Sequence, residues 1–388
     1  MKKKLLFVNG HLNVGGVEKS LTDLLRHLDY SEYEVDLLLL EDTGDYLLQI
    51  PKQVNIIFFD ITKAYGPLLR VLLYCFFTFQ WSMIAYRIIG LIVSKWGKER
   101  YKILRGLLSL KKEYDAAIAY RTGFCADIVA YVVNAKRKLV WWHHGEINVS
   151  ASVIMDYNTT WKYFDFVVVV SQGCREMFLC TFDYPIDRIV VIPNMIDIDR
   201  IIDMAGNRSP YNSQDGKVNI VSVGRLCVEK HFSDAICVAK KLSEQCMINF
   251  HWYIIGDGDL RDELLAQIDD LALGDYVTLL GKKDNPYPWI KYADIFVHPS
   301  YVESQGLTIL EAMVLGTPCV VSRSMGPLDF LVDAKNGIMT NNNSYSLFQG
   351  VLRIFELKEK ETIVQNAFNT VTEKFSVKSV IENFNSLV

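Results

Sequence analysis

Residues 295–313 read IFVHPSYVESQGLTILEAM and contain one complete strand–loop–helix unit. The apolar run Ile295–Val297 predicts a buried strand, and the stretch that begins near Gln305 predicts a helix. Glu303 lies in the loop between them, and Glu311 follows eight residues later inside the helix. Such a unit places its loop at the carboxyl edge of a parallel sheet. The fold of the chain depends on how often this unit is repeated.

Short apolar runs alternate with amphipathic stretches on both sides of this unit, which is typical of βα units stacked into parallel sheets. The predicted strands are Lys4–Val8, Val35–Leu40, Val54–Phe59, Ala116–Ala119, Leu139–Trp142, Phe166–Val170, Ile189–Ile192, Val218–Val223, Trp252–Ile255, Val277–Leu280, Ile295–Val297, Cys319–Val321 and Gly337–Met339. The alternation stops after Pro193-Asn194, and residues 201–216 are polar and rich in turn formers. We therefore predict an α/β chain of two Rossmann-like domains facing a central cleft, residues 1–200 and 201–370. A C-terminal helix within residues 371–388 is expected to dock back toward the first domain.

The composition fits a chain that is folded nearly end to end. It has 388 residues, of which 50% are hydrophobic and 22% are charged. The net charge of −4 argues against nucleic acid as a partner. This charge is distributed unevenly, because residues 61–112 contain ten basic residues and one acidic residue, Glu99. That segment therefore has a net charge of +9, and the rest of the chain carries −13.

The same segment is the candidate for membrane contact. Its stretch 71–86 has 16 uncharged residues, whereas a helix needs about 20 mostly apolar residues to cross a bilayer. The basic residues that follow favour contact between residues 67–112 and an anionic membrane surface. A buried core helix with a solvated basic neighbour is the alternative, and the sequence leaves both open.

The cysteines and the N-terminus indicate the compartment. The eight cysteines are scattered, without a Cys-x-x-Cys pair or a Cys/His cluster, which is typical of a reducing cytosol. The first apolar stretch, Leu5–Val8, is too short for the core of a signal peptide. We therefore expect a cytoplasmic protein that is peripheral on the inner face of the cell membrane.

Two loops after predicted strands suit a phosphate group. Gly15 and Gly16 precede a helical stretch, so the backbone could approach an anion closely, although an ordinary turn explains the pair equally well. In the second half, Arg225 and Lys230 lie at a strand-to-helix turn. Cations at such a position can neutralise a diphosphate as it leaves, although two cations in a loop are more often simply solvated.

Other loops reach the same sheet edge in the second half. Gly306, Leu307 and Thr308 offer first-turn N–H donors, and the carboxylates of Glu303 and Glu311 on either side can accept hydrogen bonds from sugar hydroxyls. Two further strands end in loops against which a planar base could lie. These loops contain Gly256, Gly281 and Lys282.

The motifs occur in a recognisable order: a Gly-Gly loop, Pro-Asn-x-x-Asp, Gly-Arg-Leu with a following lysine, Gly-x-Gly, and Glu-x7-Glu-Ala-Met. This order resembles the retaining nucleotide-sugar glycosyltransferases of family 4 (glycosyl transferases group 1), which have the GT-B fold. The resemblance covers nearly the whole chain and is most specific from Glu303 to Pro318. The chain departs from the family at Ser304, where glycine is common, and at Gln305, where phenylalanine is frequent.

The resemblance implies a role for each motif. Arg225 and Lys230 would hold the donor diphosphate, Glu311 would bind the ribose hydroxyls, and Glu303 would bind the hydroxyls of the donor sugar. The amides of residues 306–308 would contact the phosphate, and the Gly-Gly loop would close the site from the acceptor-binding first domain.

Family members also carry a histidine near the reacting sugar, after a strand of the first domain. The corresponding strand here is followed by both His143 and His144. His144 is favoured because it directly precedes a glycine, and His143 stays a candidate.

We therefore predict a hexosyltransferase that moves a sugar from a nucleotide-diphosphate sugar to a hydroxyl of a lipid-linked saccharide in surface polysaccharide biosynthesis. The donor's base stays open, because pyrimidine and purine nucleotides can both use such loops. We expect no cofactor and no metal. Two Asp-x-Asp sequences, Asp197–Asp199 and Asp257–Asp259, match a metal-binding pattern of other glycosyltransferases, but Arg225 and Lys230 already supply the cations.

Two alternatives belong to other classes. A nucleotide-sugar epimerase can share the two-domain build and would turn over the sugar nucleotide without an acceptor. A non-catalytic, membrane-associated partner protein could keep the fold alone, but the presence of both cations and both carboxylates counts against it.

Overall fold

The computed structural model describes residues 2–59, 112–145, 149–212, 216–245, 248–357 and 359–388. The predicted membrane-contact segment, residues 67–112, lies outside these ranges except for Lys112. The Lys112 ammonium contacts the carboxylates of Asp36 at 2.7 Å and Glu34 at 2.8 Å. No helix in the described ranges is long and apolar enough to span a bilayer.

The first sheet has seven parallel strands in the order β3-β2-β1-β4-β5-β6-β7. Its strands are β1 (Lys3–Asn9), β2 (Tyr33–Leu39), β3 (Asn55–Phe58), β4 (Tyr114–Ala119), β5 (Ala135–Trp142), β6 (Phe166–Val169) and β7 (Ile189–Val191). The second sheet has six parallel strands in the order β10-β9-β8-β11-β12-β13. Its strands are β8 (Val218–Val223), β9 (Phe250–Ile255), β10 (Val277–Gly281), β11 (Ile295–His298), β12 (Cys319–Ser322) and β13 (Ile338–Thr340).

The helices described lie mainly between the strands. They are α1 (Gly16–His27), α2 (Phe124–Asp127, continued by a π-helical turn at Ile128–Val132), α3 (Ala151–Trp161), α4 (Gln172–Thr181), α5 (Ile198–Ala205), α6 (Phe232–Gln245), α7 (Arg261–Asp270), α8 (Tyr287–Lys291), α9 (Leu307–Val314), α10 (Ser344–Glu356), α11 (Lys360–Phe375) and α12 (Val377–Leu387). Short 3₁₀ turns occur at Leu47–Gln49, Ile186–Arg188, Val228–Lys230 and Pro327–Asp329. We call the seven-stranded sheet with its helices the N-terminal domain, and the six-stranded sheet with its helices the C-terminal domain.

The apolar runs form strands because both faces of a parallel sheet are covered by helices. Strand β1 is buried from Leu5 to Asn9, and strands β11 and β12 are buried throughout. The sequence prediction of an α/β fold with two Rossmann-like domains is thereby confirmed.

The chain crosses between the domains twice, and the two crossings lie side by side. Ile196 forms a parallel bridge with Ser376, and its N–H donates to the carbonyl oxygen of Phe375 at 2.8 Å. Helix α5 follows the first crossing and contributes Ile201 and Ala205 to the core of the C-terminal domain. The boundary drawn at residue 200 therefore falls inside α5.

Helix α12 follows the second crossing and packs on the N-terminal domain. Val380 and Phe384 are buried in that domain's core, and the ring of Phe384 stacks on that of Phe7 with centroids 6.1 Å apart. The chain end is held as well, since the Lys3 ammonium donates to the Val388 carbonyl at 2.7 Å. The last helix thus joins the two domains physically.

Replacing Phe384 by alanine should destabilise the N-terminal domain by about 3–5 kcal/mol, because the change leaves a cavity between α12 and the sheet. Denaturant unfolding followed by tryptophan fluorescence measures this loss, and Leu48→Ala is the control because Leu48 is 96% exposed. Equal stability of the two variants would contradict the packing described for α12.

Candidate active site

The loops that follow the strands of the two sheets meet at the cleft. A β-carbon on Gly145, after β5, would lie 3.1 Å from the carbonyl carbon of Glu303, after β11. The thiol of Cys174 lies 3.4 Å from both the His144 and the Ser304 carbonyl oxygens. The loop that contains Glu303 is therefore in contact with the loop of the other domain that contains His143 and His144.

Glu303 is the centre of a charged cluster on the C-terminal side. Its Oε1 accepts a hydrogen bond from the Lys230 ammonium and lies 2.6 Å from Nε2 of His298. Burial raises the pKa of Glu303, but Lys230 and His298 together outweigh burial and lower it to about 2. The carboxylate is therefore ionised at neutral pH and can accept hydrogen bonds from hydroxyl groups.

The two candidate cations differ in their surroundings. Lys230 ends the 3₁₀ turn Val228–Lys230, and the left-handed residue His231 (φ 49°) follows it, so the turn directs Lys230 toward Glu303. Arg225 is exposed, and its guanidinium has no hydrogen-bond or ion-pair partner among the described residues. Arg225 is thus available to an anion, whereas Lys230 already shares its charge with Glu303.

Glu311 is buried in α9 and paired across the cleft. Its Oε1 lies 3.2 Å from the ammonium of Lys19 and 3.3 Å from the hydroxyl of Tyr287. Lys19 belongs to α1 and also contacts Asp23 at 3.2 Å. Burial raises the pKa of Glu311, and the charge of Lys19 opposes this rise. Burial lowers the pKa of Lys19, but Asp23 and Glu311 outweigh it and hold that pKa well above its usual value.

The helix of the Glu-x7-Glu motif begins at Leu307, two residues after the predicted start. Gly306 precedes it with φ 87°, a left-handed conformation that favours glycine. The N–H groups of Ile309 and Leu310 both donate to the Gly306 carbonyl. Within the part of the chain that the structure describes, no side chain caps this helix, so the N–H groups of Leu307 and Thr308 are available to a ligand.

The glycine loops of the C-terminal domain pack backbone against backbone. A β-carbon on Gly256 (φ 149°) would lie 1.8 Å from the Gly224 carbonyl oxygen, so only glycine fits there. Gly281 has φ 70° and ends β10. The next residue, Lys282, is exposed and its ammonium lies 3.5 Å from Asp45 of the N-terminal domain.

On the N-terminal side, Gly15 and Gly16 lead directly into α1. A β-carbon on Gly15 would lie 2.3 Å from a carboxylate oxygen of Glu18, and one on Gly16 would lie 3.6 Å from the Leu307 side chain. Glu18 is buried and accepts a hydrogen bond from Nε of Arg121 at 2.9 Å. The Gly-Gly loop therefore lies next to the start of helix α9.

The two candidate histidines have different environments. His144 is exposed at the cleft, and its Nε2 lies 3.4 Å from the Thr122 hydroxyl. His143 is half-buried, its ring packs on Tyr120, and its Nε2 is buried without a hydrogen-bond partner among the described residues. Although part of the His144 ring is exposed, the walls of the cleft desolvate the rest, and this desolvation together with the charge of Arg121 lowers its pKa. Burial, His144 and Arg121 lower the pKa of His143 to about 3. Both rings are neutral at neutral pH.

Sequence reasoning missed several residues of this site, namely His298, Lys19, Tyr287, Glu18 and Arg121. Lys19, Tyr287, Glu18 and Arg121 each contact a partner that is distant in sequence. His298 lies only five residues before its partner Glu303, and this short spacing was the one local signal.

The Asp-x-Asp sequences have local structural roles or lie at the surface. Asp197 caps α5 by accepting from the Arg200 N–H at 3.2 Å and lies 3.3 Å from His27. Asp257 and Asp259 are exposed. Within the described ranges, no three His, Cys, Asp or Glu side chains are arranged to hold a metal ion.

Each domain matches a different protein family. Residues 14–200 match Glycosyltransferase Family 4, and residues 203–369 match Glycosyl transferases group 1. The fold is also that of the HepE structure from Anabaena with UDP and glucose, which has a TM-score of 0.73 at 18% identity over 99% of this chain and 98% of that one.

Sequence relatives include an uncharacterized glycosyltransferase of Methanocaldococcus jannaschii, 34% identical over 57% of this chain and 59% of the relative. A second relative from the same organism is matched over 63% of its length, so these alignments span about three fifths of the proteins concerned. A longer alignment joins 97% of this chain to 96% of the Campylobacter jejuni N-acetylgalactosamine-N,N'-diacetylbacillosaminyl-diphospho-undecaprenol 4-alpha-N-acetylgalactosaminyltransferase, at 24% identity.

The pairing of Glu303 should make stability depend on pH. Because its pKa is lowered from 4.5 to about 2 on folding, the contribution is complete above pH 4.5 and is lost as the pH falls toward 2. At 1.36 kcal/mol per pKa unit, the loss amounts to about 3 kcal/mol. Denaturant unfolding between these pH values should show a shallower pH dependence for Glu303→Gln than for the wild type. The exposed-site variant Glu361→Gln should match the wild type, and equal slopes for all three proteins would contradict the lowered pKa.

Proposed function

By its fold and by the families that match both of its domains, the chain has the build of a GT-B glycosyltransferase, and we propose that it is a retaining hexosyltransferase. Its donor is a UDP-sugar, and its acceptor is a hydroxyl of a lipid-linked saccharide in surface polysaccharide biosynthesis. The observation that carries this proposal is the cluster of Glu303, Lys230 and His298 in direct contact with the His144–Gly145 loop. Such a cluster combines a leaving-group cation with a hydroxyl acceptor at the meeting point of the domains.

The donor diphosphate binds between the cations and the start of α9. Arg225 is free to contact the phosphates, and the N–H groups of Leu307 and Thr308 point out of an uncapped helix end. The ribose hydroxyls bind to Glu311, where they replace the ammonium of Lys19. The choice of UDP is supported by the UDP found in structures of the same fold, and the base lies against the Gly256 and Gly281 loops.

The transfer step breaks the bond between the anomeric carbon and the phosphate oxygen. Positive charge develops on the sugar ring, and Lys230, Arg225 and the α9 amides stabilise the leaving diphosphate. The acceptor oxygen forms the new bond on the face that the phosphate leaves, and its proton passes to the departing phosphate oxygen. The anomeric configuration is retained, and no metal is required because both cations belong to the chain.

Glu303 and His144 orient the donor sugar. The ionised Glu303 accepts hydrogen bonds from sugar hydroxyls, and the neutral His144 ring can donate or accept one. His144 is preferred over His143 because its ring is exposed at the cleft, whereas Nε2 of His143 is buried. Contact between the two domains at Gly145 excludes water from the reacting bond.

The lipid-linked acceptor is supported by relatives whose names specify diphospho-undecaprenol acceptors, from Campylobacter jejuni and Escherichia coli. The basic composition of residues 61–112 supports binding at the cytoplasmic membrane face, where such acceptors are presented. The donor sugar is of the hexose type.

A panel of UDP-, GDP- and dTDP-sugars, with and without a polyprenyl-linked saccharide, tests this function. We expect nucleotide release from a UDP-sugar that requires acceptor, and a product whose anomeric proton coupling shows retention. Lys230→Ala should lower kcat by about 10²–10³-fold, because the leaving diphosphate loses a cation. Lys335→Ala, at an exposed lysine, should leave it unchanged. Release without acceptor, an inverted product or full activity of Lys230→Ala would each contradict the proposal.

Membrane binding is tested with vesicles of anionic or neutral phospholipid. We expect the protein to sediment with anionic vesicles at low salt and to dissociate as salt is raised. The double variant Lys95→Glu, Lys98→Glu should lose binding, whereas Lys283→Glu, Lys335→Glu changes net charge equally and should retain it. Equal binding of both variants would contradict a role for the basic segment.

A further inference from the structure

The chain departs from the family pattern at Gln305. Both ends of the Gln305 side-chain amide form hydrogen bonds away from the proposed sugar site. Its side-chain oxygen accepts a hydrogen bond from the backbone N–H of Asn194 at 2.7 Å. Its side-chain amide donates to the backbone carbonyl of Asn194 at 2.9 Å. Gln305 is 2% exposed and Asn194 is 7% exposed, so both bonds are shielded from water.

These bonds continue into the N-terminal domain. The Ser20 hydroxyl donates to the side-chain oxygen of Asn194 at 2.6 Å, and it lies 2.7 Å from the Tyr120 hydroxyl. Because the only hydrogen of the Ser20 hydroxyl is used on Asn194, Tyr120 must donate to Ser20. Ser20 lies in α1, directly behind the Gly-Gly loop, and the Tyr120 ring packs on His143.

Asn194 occupies the hinge. It lies between β7 and Ile196, where the first chain crossing pairs with the second. Gln305 lies in the loop between β11 and α9, residues 299–306, which we call the donor loop. It directly precedes the left-handed Gly306 at the start of α9. Two hydrogen bonds from the Gln305 side chain thus connect the backbone of the hinge residue Asn194 to the donor loop. Gln305 lies close to the N–H groups of Leu307 and Thr308, which are predicted to bind phosphate.

On the side away from the hinge, the donor loop packs closely against Gly326. A β-carbon on Gly326 would lie 2.5 Å from the α-carbon of Gln305, and the Gly326 N–H donates to the Glu303 carbonyl at 2.9 Å. The loop is therefore held between Gly326 on one side and the hinge backbone at Asn194 on the other.

We propose that Gln305 is a positioning residue that couples the interdomain hinge to the donor loop, so that domain closure and the placement of the α9 amides occur together. This inference rests on the proposed function for its catalytic consequence. The chemistry explains the residue type, because a neutral amide of this length offers both an acceptor and a donor to the Asn194 backbone, whereas an ionised carboxylate of the same length offers acceptors only. An apolar residue leaves the Asn194 N–H and carbonyl buried without partners.

Kinetics of two variants test the coupling. Gln305→Leu should lower kcat/KM for the UDP-sugar by about 10²-fold, since the amides are displaced from the diphosphate. Gln305→Glu can form both bonds only when its carboxyl is protonated, so its rate relative to wild type should rise as the pH falls. The relative rate of Gln305→Leu should be independent of pH, and Gln365→Leu, at an exposed glutamine, should behave as wild type. A flat relative profile for Gln305→Glu, or a normal kcat/KM for Gln305→Leu, would overturn the proposal.

Amide hydrogen exchange tests the coupling without any turnover, so a failure of the proposed function stays distinguishable. Ser20→Ala perturbs only the hinge side of the network and should speed exchange at Ile309 and Leu310 of α9. In the Gln305→Leu background, Ser20→Ala should have no further effect at these amides. Unchanged exchange in the single Ser20→Ala variant, or equal effects in both backgrounds, would show that Gln305 does not connect the two sites.

Discussion

A carboxylate that stays ionised where two domains meet needs charged or hydrogen-bonding partners for its oxygens, and Glu303 is such a carboxylate. Lys230 supplies an ammonium and His298 an imidazole nitrogen, and both are fixed by the six-stranded sheet: one by the turn after β8, the other by the end of β11. The contacts of Glu303 with Lys230 and His298 therefore fix the donor loop within the C-terminal domain. The position of this loop determines which groups it presents to the N-terminal domain.

The loops around the cleft also have backbones that approach one another closely. Gly145, Gly256 and Gly326 each lie where a β-carbon would meet the backbone of another loop. These contacts bring the loops together without intervening side chains, and polar groups complete the junction. The hydrogen bonds from Gln305 to Asn194 and the Lys19–Glu311 pair both join the domains. Glu311 belongs to the proposed donor site, and Gln305 directly precedes Gly306 at its edge.

The sequence pattern predicted the fold well because parallel strands buried on both faces are short apolar runs. Strand β5 begins four residues before its predicted start, since Ala135–Lys138 are more polar and only half-buried or exposed. The sequence also predicted Glu303 and Lys230 as site residues, because their motifs have characteristic spacing. It could not predict the partners Lys19 and Asn194, since hydrogen bonds and ion pairs between distant residues depend on how the domains meet. Gln305 shows this limit clearly, because the sequence identified it only as a departure from the family pattern, whereas its side chain binds the hinge backbone at Asn194.

In the proposed donor complex, the ribose hydroxyls take the place that the Lys19 ammonium occupies on Glu311. A crystal structure of the chain with UDP tests this claim directly. We expect the ribose hydroxyls to bind Glu311 in place of the Lys19 ammonium, with the diphosphate on the N–H groups of Leu307 and Thr308 and beside Lys230. UDP bound elsewhere, with the Lys19–Glu311 contact intact, would contradict the account.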